Sequence, residues 1–186
     1  SRFDRFRPNV RDRWRENAGP GSGILFDLGS HLIDQTLALF GKPDKIQADV
    51  MIQREGGQSD DGFYVTFYYG EKRVYLRSNP FIAGETPRFE VHGTKGSFVK
   101  FGLDPQEEAL KQGQFTSDVL ETGILSTDEV VTIQVEKGDY LMYYHQLAES
   151  DQTRQPVVSL RDATLTTQMI ELARQSSETG QVISVD

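Results

Sequence analysis

Phe63-Tyr64-Val65-Thr66-Phe67-Tyr68-Tyr69-Gly70-Glu71-Lys72-Arg73-Val74-Tyr75-Leu76-Arg77 decides the fold. Phe63, Val65, Phe67 and Tyr69 alternate with Tyr64, Thr66 and Tyr68; Val74 and Leu76 alternate with Arg73, Tyr75 and Arg77. A period of two sends successive side chains to opposite faces, so each half is a strand with one dry face. Gly70-Glu71 supplies the tight turn between them, which makes the pair an antiparallel hairpin.

The same signature recurs outward. Ile46, Ala48, Val50 and Ile52 alternate with Gln47, Asp49 and Gln53, and a loop follows at Glu55–Asp61. A strand at Arg88–His92 turns through Gly93-Thr94-Lys95-Gly96 into Ser97–Phe101, and Glu129–Val135 and Val182–Val185 are further strands. Helices are expected at Ile24–Phe40, stopped by Gly41 and Pro43, at Gln106–Gln112 behind Asp104-Pro105, from Asp139 to about Ser150, and at Arg161–Glu178. Helices before and after a run of hairpin-linked strands give an α+β fold: an open-faced, predominantly antiparallel β-sheet with helices packed on one face.

Composition removes several function classes. The 186 residues contain no cysteine, which excludes disulfides, Cys-ligated zinc, iron–sulfur clusters and a thiol nucleophile. A net charge of −8 argues against nucleic-acid binding. No apolar run approaches the ~20 residues of a bilayer span, and no apolar h-region follows the arginine-rich start, so the expected location is the cytoplasm. The charge is uneven: residues 1–15 hold six arginines against Asp4 and Asp12, on an otherwise acidic chain. Such an arm can form an anion site, a partner surface, or ion pairs with the body. Trp14 among these arginines suits a contact surface.

The helix Ile24–Phe40 carries the sharpest chemical signal. Leu25, Phe26, Leu28, Leu32, Ile33, Leu37, Leu39 and Phe40 surround it with apolar groups, so it is expected to be largely buried. Against them Asp27, His31 and Asp34 form a polar stripe at i, i+4 and i+7. An adjacent carboxylate fixes the imidazole tautomer and stabilises the imidazolium, which makes His31 a candidate general acid/base with Asp27 as its orienting group. A purely structural Asp–His pair has the same spacing, and a metal site completed by His92 or His145 lacks a supporting motif.

Two further features bear on function. Gly19-Pro20-Gly21-Ser22-Gly23 fails as a dinucleotide fingerprint, because Ile24 stands where the third glycine belongs and the charged segment Arg11–Asn17 precedes it. The second face of the strands carries Tyr64, Tyr68, Arg73, Tyr75, Arg77 and Arg88. Tyr and Arg are enriched at protein interfaces, so this face is a candidate subunit interface; a solvated face with scattered tyrosines is the plainer alternative.

Phe3-Asp4-Arg5-Phe6-Arg7-Pro8, Arg13-Trp14-Arg15-Glu16, Phe26-Asp27-Leu28-Gly29-Ser30-His31-Leu32-Ile33-Asp34-Gln35 and Leu39-Phe40-Gly41-Lys42-Pro43 together resemble the start of the C-terminal domain of the Gfo/Idh/MocA oxidoreductases. Val91-His92-Gly93-Thr94-Lys95-Gly96-Ser97 is similar to a strand–turn–strand element of that family, and residues from Gly138 to Ser177 are similar to its closing helices. The scyllo-inositol dehydrogenase-like subgroup is the nearest resemblance.

The resemblance implies that residues 1–186 form a substrate-binding and oligomerisation domain of an enzyme acting on a secondary hydroxyl of a sugar or polyol. It implies that His31 takes the hydroxyl proton, that Asp27 supports it, and that Arg7, Trp14, Arg15 and Asp34 lie at the substrate site. NAD or NADP is then held mainly by an N-terminal Rossmann domain, which these residues lack together with its Glu-Lys-Pro motif. The isolated domain is accordingly expected to be inactive, and Ser1 to be a cut within a longer polypeptide. The expected partners are the substrate, the Rossmann domain and a second copy bound through the sheet face, with no resident metal. A non-catalytic binding or assembly module using the Tyr/Arg face is the rival expectation.

Overall fold

A computed structural model describes residues 1–114 and 120–186. The chain divides into two compact units, Ser1–Thr86 with Arg161–Asp186, and Pro87–Leu160. Each contains one four-stranded sheet, and every strand pair in both sheets is antiparallel. The fold is α+β with open antiparallel sheets, as the alternating patterns imply; hydrogen bonding distributes the strands over two sheets.

In the first unit, β1 (Lys45–Met51), β2 (Gly62–Tyr69), β3 (Lys72–Ser78) and the final strand β8 (Ile183–Ser184) lie in the order β3-β2-β1-β8. The register sets Ile46 opposite Phe67 and Val65 opposite both Ala48 and Leu76. One face therefore presents Ile46, Phe63, Val65, Phe67 and Leu76. These residues join Leu25, Leu32 and Ile33 near or on α1 (Ser30–Phe40) and Met169, Ile170 and Ala173 of α4 (Leu160–Thr179) in a single buried cluster. Burial of these side chains from water is the main force holding the helices to the sheet.

Both edges of this sheet are covered. β8 reaches only Lys45 and Ile46 of β1, and beyond it the Ala48 and Val50 N–H groups donate to the Ser176 and Ser177 hydroxyls of α4 at 3.0 and 2.8 Å. At the other edge the N-terminal arm runs beside β3, with Phe3 N–H donating to the Arg77 carbonyl and Arg7 N–H to the Pro80 carbonyl at 2.8 and 2.7 Å. Covering an edge satisfies its backbone groups and blocks further strand pairing.

The segment expected as one buried helix differs in two respects. Leu25–Gly29 is a π-helical turn, and α1 begins only at Ser30. Burial is confined to one side, through Leu25, Leu28, Leu32, Ile33 and Thr36, while Leu39 is 71% and Phe40 39% exposed. A helix laid on a sheet covers one stripe of itself. The C-terminal end is instead tied to the hairpin: Phe40 lies 5.9 Å from the Tyr69 ring, and Lys72 Nζ stands 4.1 Å over Phe40.

The second unit holds β4 (Phe89–Gly93), β5 (Gly96–Lys100), β6 (Thr122–Ser126) and β7 (Val130–Gln134) in that order, with α2 (Gln106–Lys111) and α3 (Leu141–Thr153). β6 was not expected from its sequence. Its Gly123 accommodates the Phe98 ring of β5, since a Cβ there would stand 2.2 Å from Phe98 Cε2. α2 is capped by Asp104, whose Oδ1 accepts from Gln106 N–H at 2.9 Å.

Phe67 is fully buried at the centre of the first unit's cluster. Phe67→Ala is expected to lower unfolding stability by about 3–5 kcal/mol, measured by urea denaturation.

Candidate active site

The site begins where the loop after Trp14–Glu16 enters the π turn. Gly23 has φ +94°, and a Cβ on it would lie 2.1 Å from Asp60 Oδ1, so only glycine fits without displacing that carboxylate. Asp60 takes the first two amides of the helical segment: Ile24 N–H donates to its carbonyl at 2.8 Å and Leu25 N–H to its Oδ2 at 2.7 Å. Arg174 of α4 donates to Asp60 Oδ1 at 3.2 Å. Burial raises the Asp60 carboxyl above its ordinary value, against the opposing pull of the Leu25 amide and the Arg174 charge.

From this start the polar stripe stands on the less buried side of the helix. Asp27 is half-buried in the π turn, and His31 and Asp34 are exposed in α1. π turns insert an extra residue and often occur at functional sites. The Asp27 carboxylate accepts from Arg15 Nη1 at 2.7 Å. His31 makes no hydrogen bond or ion pair with a described residue, and the side chains of Asp27 and His31 are not bonded to each other. Asp34 accepts from the Thr166 hydroxyl of α4 at 3.3 Å.

The arginine arm converges on the same place. Arg15 stacks its guanidinium 5.2 Å above the ring of Trp14, which is 68% exposed. Arg7 lies near enough to feel the negative charges of Glu16 and Asp27. Burial lowers its pKa first, and Arg11 and Arg13 lower it further. Its guanidinium makes no hydrogen bond to a described residue, which leaves its donors available to a ligand. The structure thus gathers Arg7, Arg15 and Asp27 into one mixed-charge cluster, with His31 beyond them on the helix. Such a set can hold hydroxyl groups and move one proton.

Sequence reasoning missed Asp60, Asp61 and Arg54. Asp61 accepts from the Gln53 and Arg54 amides at 2.8 and 2.9 Å and from Arg54 Nε at 2.9 Å. The adjacent aspartates fall at the end of the expected loop Glu55–Asp61. The Asp60 partners lie up to 114 positions away and those of Asp61 seven or eight, at no spacing that a helix or strand period marks.

The aromatic-basic face is built from one unit. Tyr64, Tyr68, Arg73, Tyr75 and Arg77 lie on β2 and β3 on the face opposite the buried cluster, with Tyr64 43% and Tyr75 65% exposed. Arg73 sits 4.4 Å over the Tyr68 ring, and Tyr68 donates to Gln47 Oε1 at 2.8 Å. Arg77 is engaged by the Asp4 carboxylate of the N-terminal arm. Arg88 belongs to the second unit, over the Phe89 ring at 4.7 Å, where burial lowers its pKa to about 10. Among the described residues no group of three or more His, Asp or Glu is placed to hold a metal ion; His92 Nδ1 lies 2.8 Å from Ser97 Oγ.

Residues 1–185 match the family model described as "Oxidoreductase family, C-terminal alpha/beta domain". The chain belongs to the Gfo/Idh/MocA oxidoreductase family. It is 38% identical to the scyllo-inositol 2-dehydrogenase (NADP(+)) IolW of Bacillus subtilis, over 99% of this chain and 55% of that protein. It is 54% identical to the uncharacterized oxidoreductase YdgJ of Escherichia coli, over 61% of this chain and 33% of that one. The solved structure of yvaA from Bacillus subtilis superposes with a TM-score of 0.89 at 35% identity, covering all of this chain and 56% of that one. The YPO2259 structure from Yersinia pestis gives the same TM-score, identity and coverage. The chain thus spans a third to just over half the length of these relatives. No helix of the described residues is long and apolar enough to cross a membrane.

Dinucleotide cofactors place their pyrophosphate on the free amides of a glycine-rich helix start. The glycine-rich start in this chain does not fit that group, because Asp60 already occupies the Ile24 and Leu25 amides with an oxygen cap.

The raised Asp60 carboxyl gives a testable sign. The folded state holds the Asp60 proton more tightly than the unfolded state does. That contribution is complete below the unfolded carboxylate value and is lost as pH rises through the folded one. Asp60→Asn removes this slope. The stability advantage of the wild type over the variant is therefore expected to shrink as pH rises from below the ordinary carboxylate value, as read by urea denaturation in a series of buffers of increasing pH. An advantage that grows with pH would contradict the assignment.

Proposed function

We propose that this domain binds the substrate of a cytoplasmic NAD(P)-dependent oxidoreductase that oxidises a secondary hydroxyl of an inositol-like polyol or a sugar. The observation that carries the proposal is the Arg7–Arg15–Asp27 cluster beside His31 on the open side of the helix that starts at Asp60. The name of the relative IolW supports the substrate class.

In this reading His31 accepts the proton of the reacting hydroxyl, and it is suited to that task because no described residue competes for its ring nitrogens. Asp27, held by Arg15, supports His31 from one turn earlier on the same helical segment. Arg7 and Arg15 donate to the other hydroxyls of the substrate, Trp14 offers a ring face to its C–H surface, and Asp34 lines the outer end of the site. NAD or NADP, held mainly by an N-terminal Rossmann domain outside these residues, would supply the hydride-accepting chemistry when bound. The domain alone is therefore inactive.

In the enzyme carrying its dinucleotide domain, His31→Ala is expected to lower kcat by about 10²–10⁴, as general acid–base groups do. An unchanged kcat would make His31 structural and would remove the catalytic reading.

The sheet face is the second part of the proposal. Tyr64, Tyr68, Arg73, Tyr75 and Arg77 form a homo-oligomer interface, and Arg88 is proposed separately as an interface residue of the second unit. The exposed rings of Tyr64 and Tyr75 on the face turned away from the buried cluster support this reading. Tyr75→Glu is expected to shift the protein toward monomer in sedimentation velocity. A wild-type protein that is monomeric at high concentration would overturn it.

A further inference from the structure

The loop from Asn9 to Glu16 carries Trp14 and Arg15, yet nothing in it is packed. Asn9 to Arg15 are all exposed, and the turn Trp14–Glu16 contributes no buried residue. A segment without buried side chains cannot hold its conformation by apolar contact. Hydrogen bonds hold it instead, and one guanidinium from the first sheet's β1–β2 connection reaches both of its ends.

Arg54 is 9% exposed at its side chain. Its Nε donates to Asp61 Oδ2 at 2.9 Å, and Asp61 is fully buried and fixed by two further backbone amides. Its Nη1 donates to the Glu16 carboxylate at 3.0 Å and to the Asn9 carbonyl at 3.2 Å. One planar fork thus grips the first and last residues of the loop from an anchored base. Glu16 passes the restraint inward by accepting from Arg11 N–H at 2.8 Å. Immediately beyond, the Arg15 carbonyl accepts from Gly23 N–H at 2.9 Å and from the Ser59 hydroxyl at 3.1 Å, which sets the point from which Arg15 reaches Asp27.

We infer that Arg54 is a positioning residue: a buried clip that holds the Asn9–Glu16 loop so that Arg15 and Trp14 are presented beside Asp27. Its consequence for substrate binding rests on the function proposed above, while the clip itself does not. The guanidinium is required because an ammonium is a point charge and cannot span Asp61, Glu16 and the Asn9 carbonyl in one plane. The clip acts on polyol binding alone, since the loop carries the substrate-facing side chains.

The test uses the enzyme with its dinucleotide domain, in wild-type form and as Arg54→Met and Glu16→Ala. Glu16→Ala leaves the Arg54–Asp61 pair intact, so it decides the matter if Arg54→Met does not fold. Hydrogen exchange of the peptide 9–23 is expected to quicken about tenfold while the β2–β3 peptide is unchanged. The KM for scyllo-inositol is expected to rise about tenfold while the cofactor KM stays within about twofold. Unchanged exchange in 9–23 would overturn the clip. Equal loss of polyol and cofactor parameters would reduce Arg54 to a general stability role and overturn its positioning role. If His31→Ala leaves kcat intact, the functional reading fails, and the exchange arm still decides the clip.

Discussion

Two adjacent carboxylates, Asp60 and Asp61, are buried on the loop that leads into β2, and the surrounding structure is organised to satisfy them. Asp60 takes the first helical amides and a guanidinium from α4. Asp61 takes two amides of its own loop and Arg54. A buried charge without partners is strongly destabilising, so each of these contacts is constrained once the loop is in place. Through them one turn of chain sets the start of the site helix, the seating of α4 and the arginine loop. Glycine at position 23 follows from the same constraint, because a side chain there would occupy the space of the Asp60 carboxylate.

The site is therefore a surface held from beneath. Its exposed groups, His31, Asp34, Trp14 and Arg15, contribute little to the core. They are placed by Leu25, Leu32 and Ile33 under the helix and by hydrogen bonds under the loop. The π turn suits this division of labour, since it lets one helical segment bury leucines on one side and offer Asp27 to Arg15 on the other. Asp27 pairs with Arg15, and the His31 ring makes no hydrogen bond with a described residue.

The first sheet divides the same way. Alternation sends Phe63, Val65 and Phe67 to the helices and Tyr64, Thr66 and Tyr68 to the other side. Its edges are covered by the N-terminal arm and by the Ser176 and Ser177 hydroxyls of α4. The uncovered surface is thus the Tyr/Arg face itself.

The amino-acid sequence by itself determined the α+β class, the antiparallel hairpins, the helix stop at Gly41, and the Asp27–His31–Asp34 stripe. These depend on periods of two and about 3.6 residues and on local turn chemistry, all of which act within a few positions. The family motif was legible for the same reason, being contiguous. Tertiary structure decided the rest. It chose Arg15 as the partner of Asp27, turned the site helix so that only one stripe is buried, and made Asp60, Asp61 and Arg54 the supports of the site. The orientation of the helix depends on which apolar stripe the sheet covers, and the ion pairs depend on which group can replace water around a buried charge, from Arg54 seven positions before Asp61 to Arg174 far along the chain from Asp60; spacing alone does not mark that choice.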